Sequence, residues 1–160
     1  MNRILAAVAA TTAVSTAQIA GAQFNPSPTH PRTAIWYAGL RKPSYTPPGP
    51  VFGIAWTLID AALGYAGYRL LQARPSGART GALALWALNI LGIGGYPFVM
   101  FGRKRLDEAA GVTGTMLATS WGATALAAQV DRKAGFATVP LAAWVTFAFL
   151  LQEEVWRRNR

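Results

Sequence analysis

The chain has 160 residues, 52% hydrophobic and 13% charged, with a formal net charge of +9 and no cysteine. Soluble globular domains carry about 25% charged residues, and here the apolar residues come in long blocks, which argues against both a soluble enzyme and a disordered chain. The lack of cysteine excludes disulfide scaffolds, thiolate catalysis, iron–sulfur clusters and Cys-based zinc sites, and a single His30 among prolines excludes a multi-His metal site.

Lys and Arg fall in short clusters between the apolar blocks, the distribution of a polytopic membrane protein. The expected partner is therefore a lipid bilayer and not nucleic acid. A hydrocarbon core about 30 Å thick needs about 20 mostly apolar residues per helix. Five blocks qualify: residues 4–22, 50–72, 81–101, 109–130 and 135–155. They predict one domain over 1–160, an all-α integral membrane bundle of five transmembrane helices.

The first block, with Arg3, an Ala/Val-rich run and Ala20-Gly21-Ala22, also fits a cleaved secretory signal peptide, which would leave four spans. Residues 23–49 hold Pro26, Pro28, Pro31, Pro43, Pro47 and Pro48. So many prolines predict neither regular helix nor central strand, and a loop of this length is usually functional or linker-like. Pro50 suits a first helical position of the second span.

Asp60 falls near the middle of that span. A carboxyl there should face protein or a water-filled cavity. It serves either as a proton-relay or ligand-contact group, or as a structural acid satisfied by Asn89 or a hydroxyl on another span. Arg69 is a poor partner, because nine residues at about 100° each place it on the opposite helix face. The third span holds Gly92, Gly94, Gly95 and Pro97, a stretch that predicts a kink or room for a ligand. In the fourth, Ala110, Gly114, Ala118 and Gly122 recur every four residues, a stripe that lets another backbone approach. At the end of the last block, Glu153 with Arg157 and Glu154 with Arg158 have the spacing of i,i+4 ion pairs.

Of six tryptophans, Trp36 and Trp156 fall near membrane boundaries and Trp56, Trp86, Trp121 and Trp144 deeper. Deep rings either fill the bundle or stack on a flat apolar ligand. One side of a five-span chain collects Arg32, Arg41, Lys42, Arg103, Lys104, Arg105, Arg157, Arg158 and Arg160. The other collects Arg3, Arg69, Arg74, Arg79, Arg132 and Lys133, so nine against six places the N-terminus outside and the C-terminus in the cytoplasm. No Ser/His/Asp set, paired intramembrane carboxylates or phosphate-binding glycine loop is present, which favours a function other than catalysis.

The run Trp36-Tyr37-Ala38-Gly39-Leu40, then Lys42-Pro43-Ser44-Tyr45, Pro47-Pro48, Val51-Phe52 and Trp56 resembles the signature of the tryptophan-rich sensory proteins, or translocator proteins (TspO/MBR), with Tyr45 in place of the second Trp. Pro140, Ala143-Trp144, Phe147-Ala148, Val155-Trp156-Arg157 and Asn159 are similar to the family's last span. Tyr96, Phe98, Phe101-Gly102 and Lys104-Arg105 agree less closely with its third. The resemblance implies a five-helix bundle, usually dimeric, that binds porphyrins, other tetrapyrroles and sterol-like lipids and requires no cofactor. It implies also that the first block is a span.

By the same resemblance, Trp36 and Tyr37 lie in a loop over the ligand cavity, Trp56 and Trp144 match tryptophans implicated in tetrapyrrole binding and light-dependent porphyrin breakdown, and Ala148 matches a small residue that admits ligands. Asp60 stands where many members have an aromatic, Asn89 where they have Gln, Ile93 replaces Asn and Leu141 replaces Tyr. Gln152 and Glu153 break the proposed sterol motif. The expected ligand-binding residues are thus Trp36, Tyr37, Trp56, Asp60, Asn89, Trp144 and Ala148, with Arg41 and Lys42 either available to porphyrin carboxylates or, the favoured role for each alone, positive-inside anchors. The leading expectation is a tetrapyrrole or sterol receptor or carrier. A light-dependent porphyrin-degrading enzyme, a bundle that has lost its ligand, and a proton-coupled transporter built on Asp60 are the others.

Overall fold

The computed structural model describes residues 2–160, and the described residues form six α-helices and no strand. These are α1 (Arg3–Ala22), α2 (Pro31–Gly39), α3 (Gly49–Gln72), α4 (Gly77–Pro97), which runs on through a π-helical turn (Phe98–Gly102), α5 (Leu106–Val130) and α6 (Arg132–Arg158).

Side chains mark several helix starts. Asn2 Oδ1 accepts from the Ile4 amide (2.9 Å) at α1, Ser76 Oγ accepts from the Arg79 amide (3.1 Å) at α4, and Asp131 Oδ1 accepts from the Lys133 amide (2.8 Å) at α6. Each meets one of the N–H groups a first turn leaves without a partner. At the other end of α3, Arg79 donates to the Leu70 and Leu71 carbonyls (2.8 and 3.2 Å).

The helix α2 corrects the expectation that the proline-rich loop holds no regular helix. The prolines bracket it rather than interrupt it. Pro31 occupies the first helical position, where its fixed φ and missing N–H cost nothing, and no proline follows until Pro43.

The five long helices pack in a closed ring, in the order α1–α3–α6–α5–α4 and back to α1. Four segments, Arg3–Ala22, Gly49–Gln72, Gly77–Gly102 and Arg132–Arg158, are long and apolar enough to cross a membrane. With its 25 residues α5 extends about 37 Å, long enough to cross, though its hydroxyl-bearing residues lower its hydropathy. Those hydroxyls bond within the helix: Thr115 to the Gly111 carbonyl, Thr119 to Thr115, Thr124 to Ser120, each at 2.9 Å.

Small residues set the close contacts. A Cβ added to Gly94 would lie 3.2 Å from the Ala17 carbonyl oxygen, so α1 and α4 nearly touch backbones there. A Cβ added to Gly135 would lie 2.7 Å from the Ala128 Cα across the α5–α6 hairpin, which turns on the single residue Asp131. The Ala110, Gly114, Ala118, Gly122 stripe behaves differently from expectation. Each four-residue step advances 40° around a helix, so the four fan out. Gly114 faces the Phe149 ring of α6, Gly122 faces Leu85 of α4, Ala110 is buried and Ala118 is exposed. In α4 the glycines stay helical, and the irregularity begins after Pro97, where the Arg103 amide reaches back to the Phe98 carbonyl (2.8 Å).

Candidate functional site

The ring encloses a cavity of about 540 Å³ on the side of the first loop. That volume falls within the range of small-molecule sites. Its walls are mostly apolar. From α3 come Phe52 and Trp56, from α6 Trp144, Val145, Ala148 and Leu151, from α4 Gly92, Ile93, Tyr96 and Pro97, and from the π turn Met100 and Phe101. Residues Gln18 and Ala22 of α1, Gly49 and Gly53 of α3, Thr113 and Met116 of α5, Gln152 and Val155 of α6, and Asn25, Pro26, Tyr37, Thr46 and Pro47 complete the lining.

The aromatic rings form two connected sets. Trp144 meets Phe52 edge-on with centroids 5.5 Å apart, Trp56 at 6.4 Å, and Phe147 in a tilted contact at 5.7 Å. Tyr37 of α2 meets Phe101 edge-on at 5.5 Å, and Phe101 in turn meets Tyr96 at 6.4 Å. Edge-to-face pairs at these separations are favoured by the ring quadrupoles, and Phe52, Trp56, Trp144, Tyr37, Tyr96 and Phe101 all line the cavity.

Of the residues expected at the site, Tyr37, Trp56, Trp144 and Ala148 line the cavity, and Trp36, Asp60 and Asn89 do not. Trp36 is half-buried on α2, with the Lys104 ammonium 5.5 Å from its ring centre. Asn89 is buried between α4 and α5, donating to the Leu85 carbonyl (2.8 Å) and accepting from the Thr119 hydroxyl (3.3 Å). Asp60 is half-buried one layer behind the wall, where its Oδ1 accepts from Gln18 Nε2 at 2.8 Å. Its partner is thus Gln18 of α1 and not Asn89. Arg69 is engaged elsewhere, paired with Asp131 at 2.5 Å.

The remaining tryptophans are structural or peripheral. Trp86 is buried with its indole N–H donated to the Leu63 carbonyl (3.1 Å), and Trp121 is exposed and donates to Thr146 (3.1 Å).

Lys42 also departs from expectation. Its ammonium donates to the carbonyls of Tyr37 (2.5 Å), Leu40 (3.2 Å) and Ala38 (3.4 Å), closing the C-terminal end of α2, and lies 4.5 Å from the Tyr37 ring centre. It is spent on the loop's own backbone. Asn159, just past α6, clasps the same loop: its Oδ1 accepts from the Arg41 amide (2.9 Å) and its Nδ2 donates to the Arg41 carbonyl (3.0 Å). Burial pushes the Tyr37 phenol above its ordinary pKa and keeps it neutral. Among the described residues no Lys, Arg, His, Asp or Glu lines the cavity.

Gln18 and Gln152 carry no sequence signal as site residues beyond being polar in apolar blocks. Gln152 is buried, accepting from the Tyr96 hydroxyl (2.8 Å) and donating to the Leu106 carbonyl (3.2 Å).

Long apolar helices closed around an aromatic-lined cavity define a multi-pass membrane protein with an internal site. The family profile described as TspO/MBR family matches residues 8–157. The chain is 33% identical to the translocator protein of Homo sapiens over 136 residues, covering 78% of this chain and 75% of that one. It is 35% identical to the tryptophan-rich sensory protein of Cereibacter sphaeroides over 128 residues (78% and 77%). To the protein CrtK of Rhodobacter capsulatus it is 30% identical over 140 residues (87% and 83%). The chain belongs to the TspO/MBR family.

Proposed function

We propose that this protein is a membrane receptor or carrier that takes a flat apolar ligand, a porphyrin-type tetrapyrrole or a sterol-like molecule, into the cavity beneath α2. The observation that carries the reading is the cavity of about 540 Å³ walled by Phe52, Trp56 and Trp144. A planar ring entering it would exchange water for aromatic faces, and burial plus ring contacts would supply the affinity. The relatives' names, translocator and sensory protein, agree with carriage or sensing.

In this reading the chain spans the bilayer five times, with α5 as the fourth span. Its intrahelical hydroxyl bonds and its seat between α4 and α6 support that placement. The N-terminus is outside and the C-terminus cytoplasmic, as the Lys/Arg distribution favours, and a homodimer is the assembly the family resemblance implies. The edge-on Trp56–Trp144 pair favours a second reading, light-dependent breakdown of the bound ring.

Titration of detergent-purified protein with protoporphyrin IX in the dark, followed by tryptophan quenching, tests the proposal. Saturable quenching weakened in Trp144→Phe, with the fold retained, supports it. A well-folded protein without saturable binding of protoporphyrin IX overturns the tetrapyrrole form of the reading, and the absence of sterol binding as well overturns the whole of it. Product formation on illumination separates carriage from breakdown.

A further inference from the structure

Asp60 is the one carboxyl deep in α3, and its side chain is hydrogen-bonded to Gln18, which lines the cavity. A side-chain amide has a donor end and an acceptor end, whereas a carboxylate only accepts. Asp60 therefore holds Gln18 by its nitrogen and leaves the Gln18 carbonyl oxygen without a hydrogen-bond partner among the described residues. The donors of the neighbouring polar groups are already committed. Tyr96 bonds Gln152, Gln152 bonds Leu106, and the Thr46 and Thr113 hydroxyls donate to main-chain carbonyls. Asn25 and Tyr37 also line the cavity, but an amide and a hydroxyl free to turn serve donors and acceptors alike.

We propose that Asp60 is a positioning residue that fixes Gln18 as a hydrogen-bond acceptor in the cavity wall, so that the site selects a flat apolar ligand carrying a hydroxyl or N–H donor over the same skeleton without one. The inference rests on the cavity reading given above and adds the polarity of its ligand. In a site lined by neutral groups, an acceptor oriented before binding meets a donor at little reorganisation cost. Against an acceptor-only ligand the same oxygen is buried unpaired.

The test uses a matched pair, dehydroergosterol and its 3-methyl ether, which share one fluorescent ring system. Binding of each is read by energy transfer from tryptophan in the same detergent, with Gln18→Leu as the reference that cancels differences in micelle partition. The wild-type protein is expected to bind the alcohol about fivefold to tenfold more tightly than the ether, relative to that reference. In Asp60→Asn the preference falls toward unity while both sterols still bind, because an Asn can present either end to Gln18. A loss of structure alone would weaken both sterols together. Equal binding of the pair by wild type, or an undiminished preference in Asp60→Asn, overturns the inference. Binding of protoporphyrin IX with neither sterol overturns it alone, and failure of all three ligands overturns the cavity reading with it.

Discussion

The Trp86 indole lies so close over Gly67 that a Cβ there would stand 2.7 Å from Trp86 Cζ2 and 3.1 Å from the Ala10 Cβ. Three helices, α1, α3 and α4, meet at this point, and the Trp86 N–H is committed to the Leu63 carbonyl one turn away. A methyl group at residue 67 must displace a ring that is pinned by a hydrogen bond. Overpacking of this kind costs about 1–3 kcal/mol, and the helix propensity gained on replacing glycine returns at most about 1 kcal/mol. Gly67→Ala is expected to lower the Tm in detergent by a few degrees, measured by circular dichroism. An unchanged Tm would mean that Trp86 is free to move.

Two other glycines should respond in opposite ways. At Gly135 the obstacle is the Ala128 backbone, 2.7 Å from an added Cβ and unable to rotate aside, whereas Gly95 has nothing within 4 Å. Gly135→Ala is expected to splay the α5–α6 hairpin and destabilise by more than Gly67→Ala. Gly95→Ala is expected to be neutral or to stabilise by up to about 1 kcal/mol. Thermal melts of the two variants side by side check the contrast.

Asp131 gives a pH dependence. Burial raises its pKa, but the hydrogen bond from Arg69 and those from the Lys133 and Ala134 amides outweigh this and hold it below the usual carboxylate range. A carboxyl depressed on folding stabilises fully above its unfolded pKa of about 3.9, and that stabilisation is lost as pH falls through the folded value. The Tm difference between wild type and Asp131→Asn should therefore be constant from pH 7 to about pH 5. It should shrink as pH falls below about 4. A difference that persists undiminished at pH 2 would assign the loss to capping geometry instead of charge.

Lys42 distinguishes a loop brace from a carboxylate clamp. Because its ammonium bonds the Tyr37 and Leu40 carbonyls, Lys42→Met should loosen α2. Affinity for protoporphyrin IX and for its dimethyl ester should then fall by the same factor, about threefold to tenfold. Loss confined to the free acid would show that Lys42 reaches the ligand's carboxylates. Asn159→Ala, which releases the Arg41 clasp from the other side, should repeat the pattern.

The helices were legible in the sequence because twenty-residue apolar blocks admit few alternatives: the long helices start and stop within a few residues of the expected blocks. The short α2 was hidden by the prolines that frame it, since a proline at a helix start and one in its interior read alike until the boundary is known. Tyr37, Trp56, Trp144 and Ala148 come from the family resemblance, which says where a residue falls along the chain. It does not say which helix faces which, so it could not show that Asp60 turns toward Gln18 on α1 or that Asn89 turns toward Thr119 on α5. The ring order α1–α3–α6–α5–α4 decides both pairings, and that order is a long-range property. The sequence does not show that Lys42 closes α2: a basic residue beside a ligand site is also beside the last carbonyls of a helix, and here its ammonium bonds those of Tyr37, Ala38 and Leu40.

The π turn after Pro97 has a consequence for the helical wheel. It accommodates one residue more than an α turn, so the sequence beyond Phe98 is rotated relative to the face that Trp86, Asn89 and Ile93 share. That offset brings Phe101 against both Tyr37 and Tyr96. It also sets Gly102 where an added Cβ would meet Phe24 at 3.1 Å. A deletion of a single residue between Pro97 and Gly102 would restore an unbroken α-helix while turning the aromatic wall out of register, leaving a better helix and a worse container.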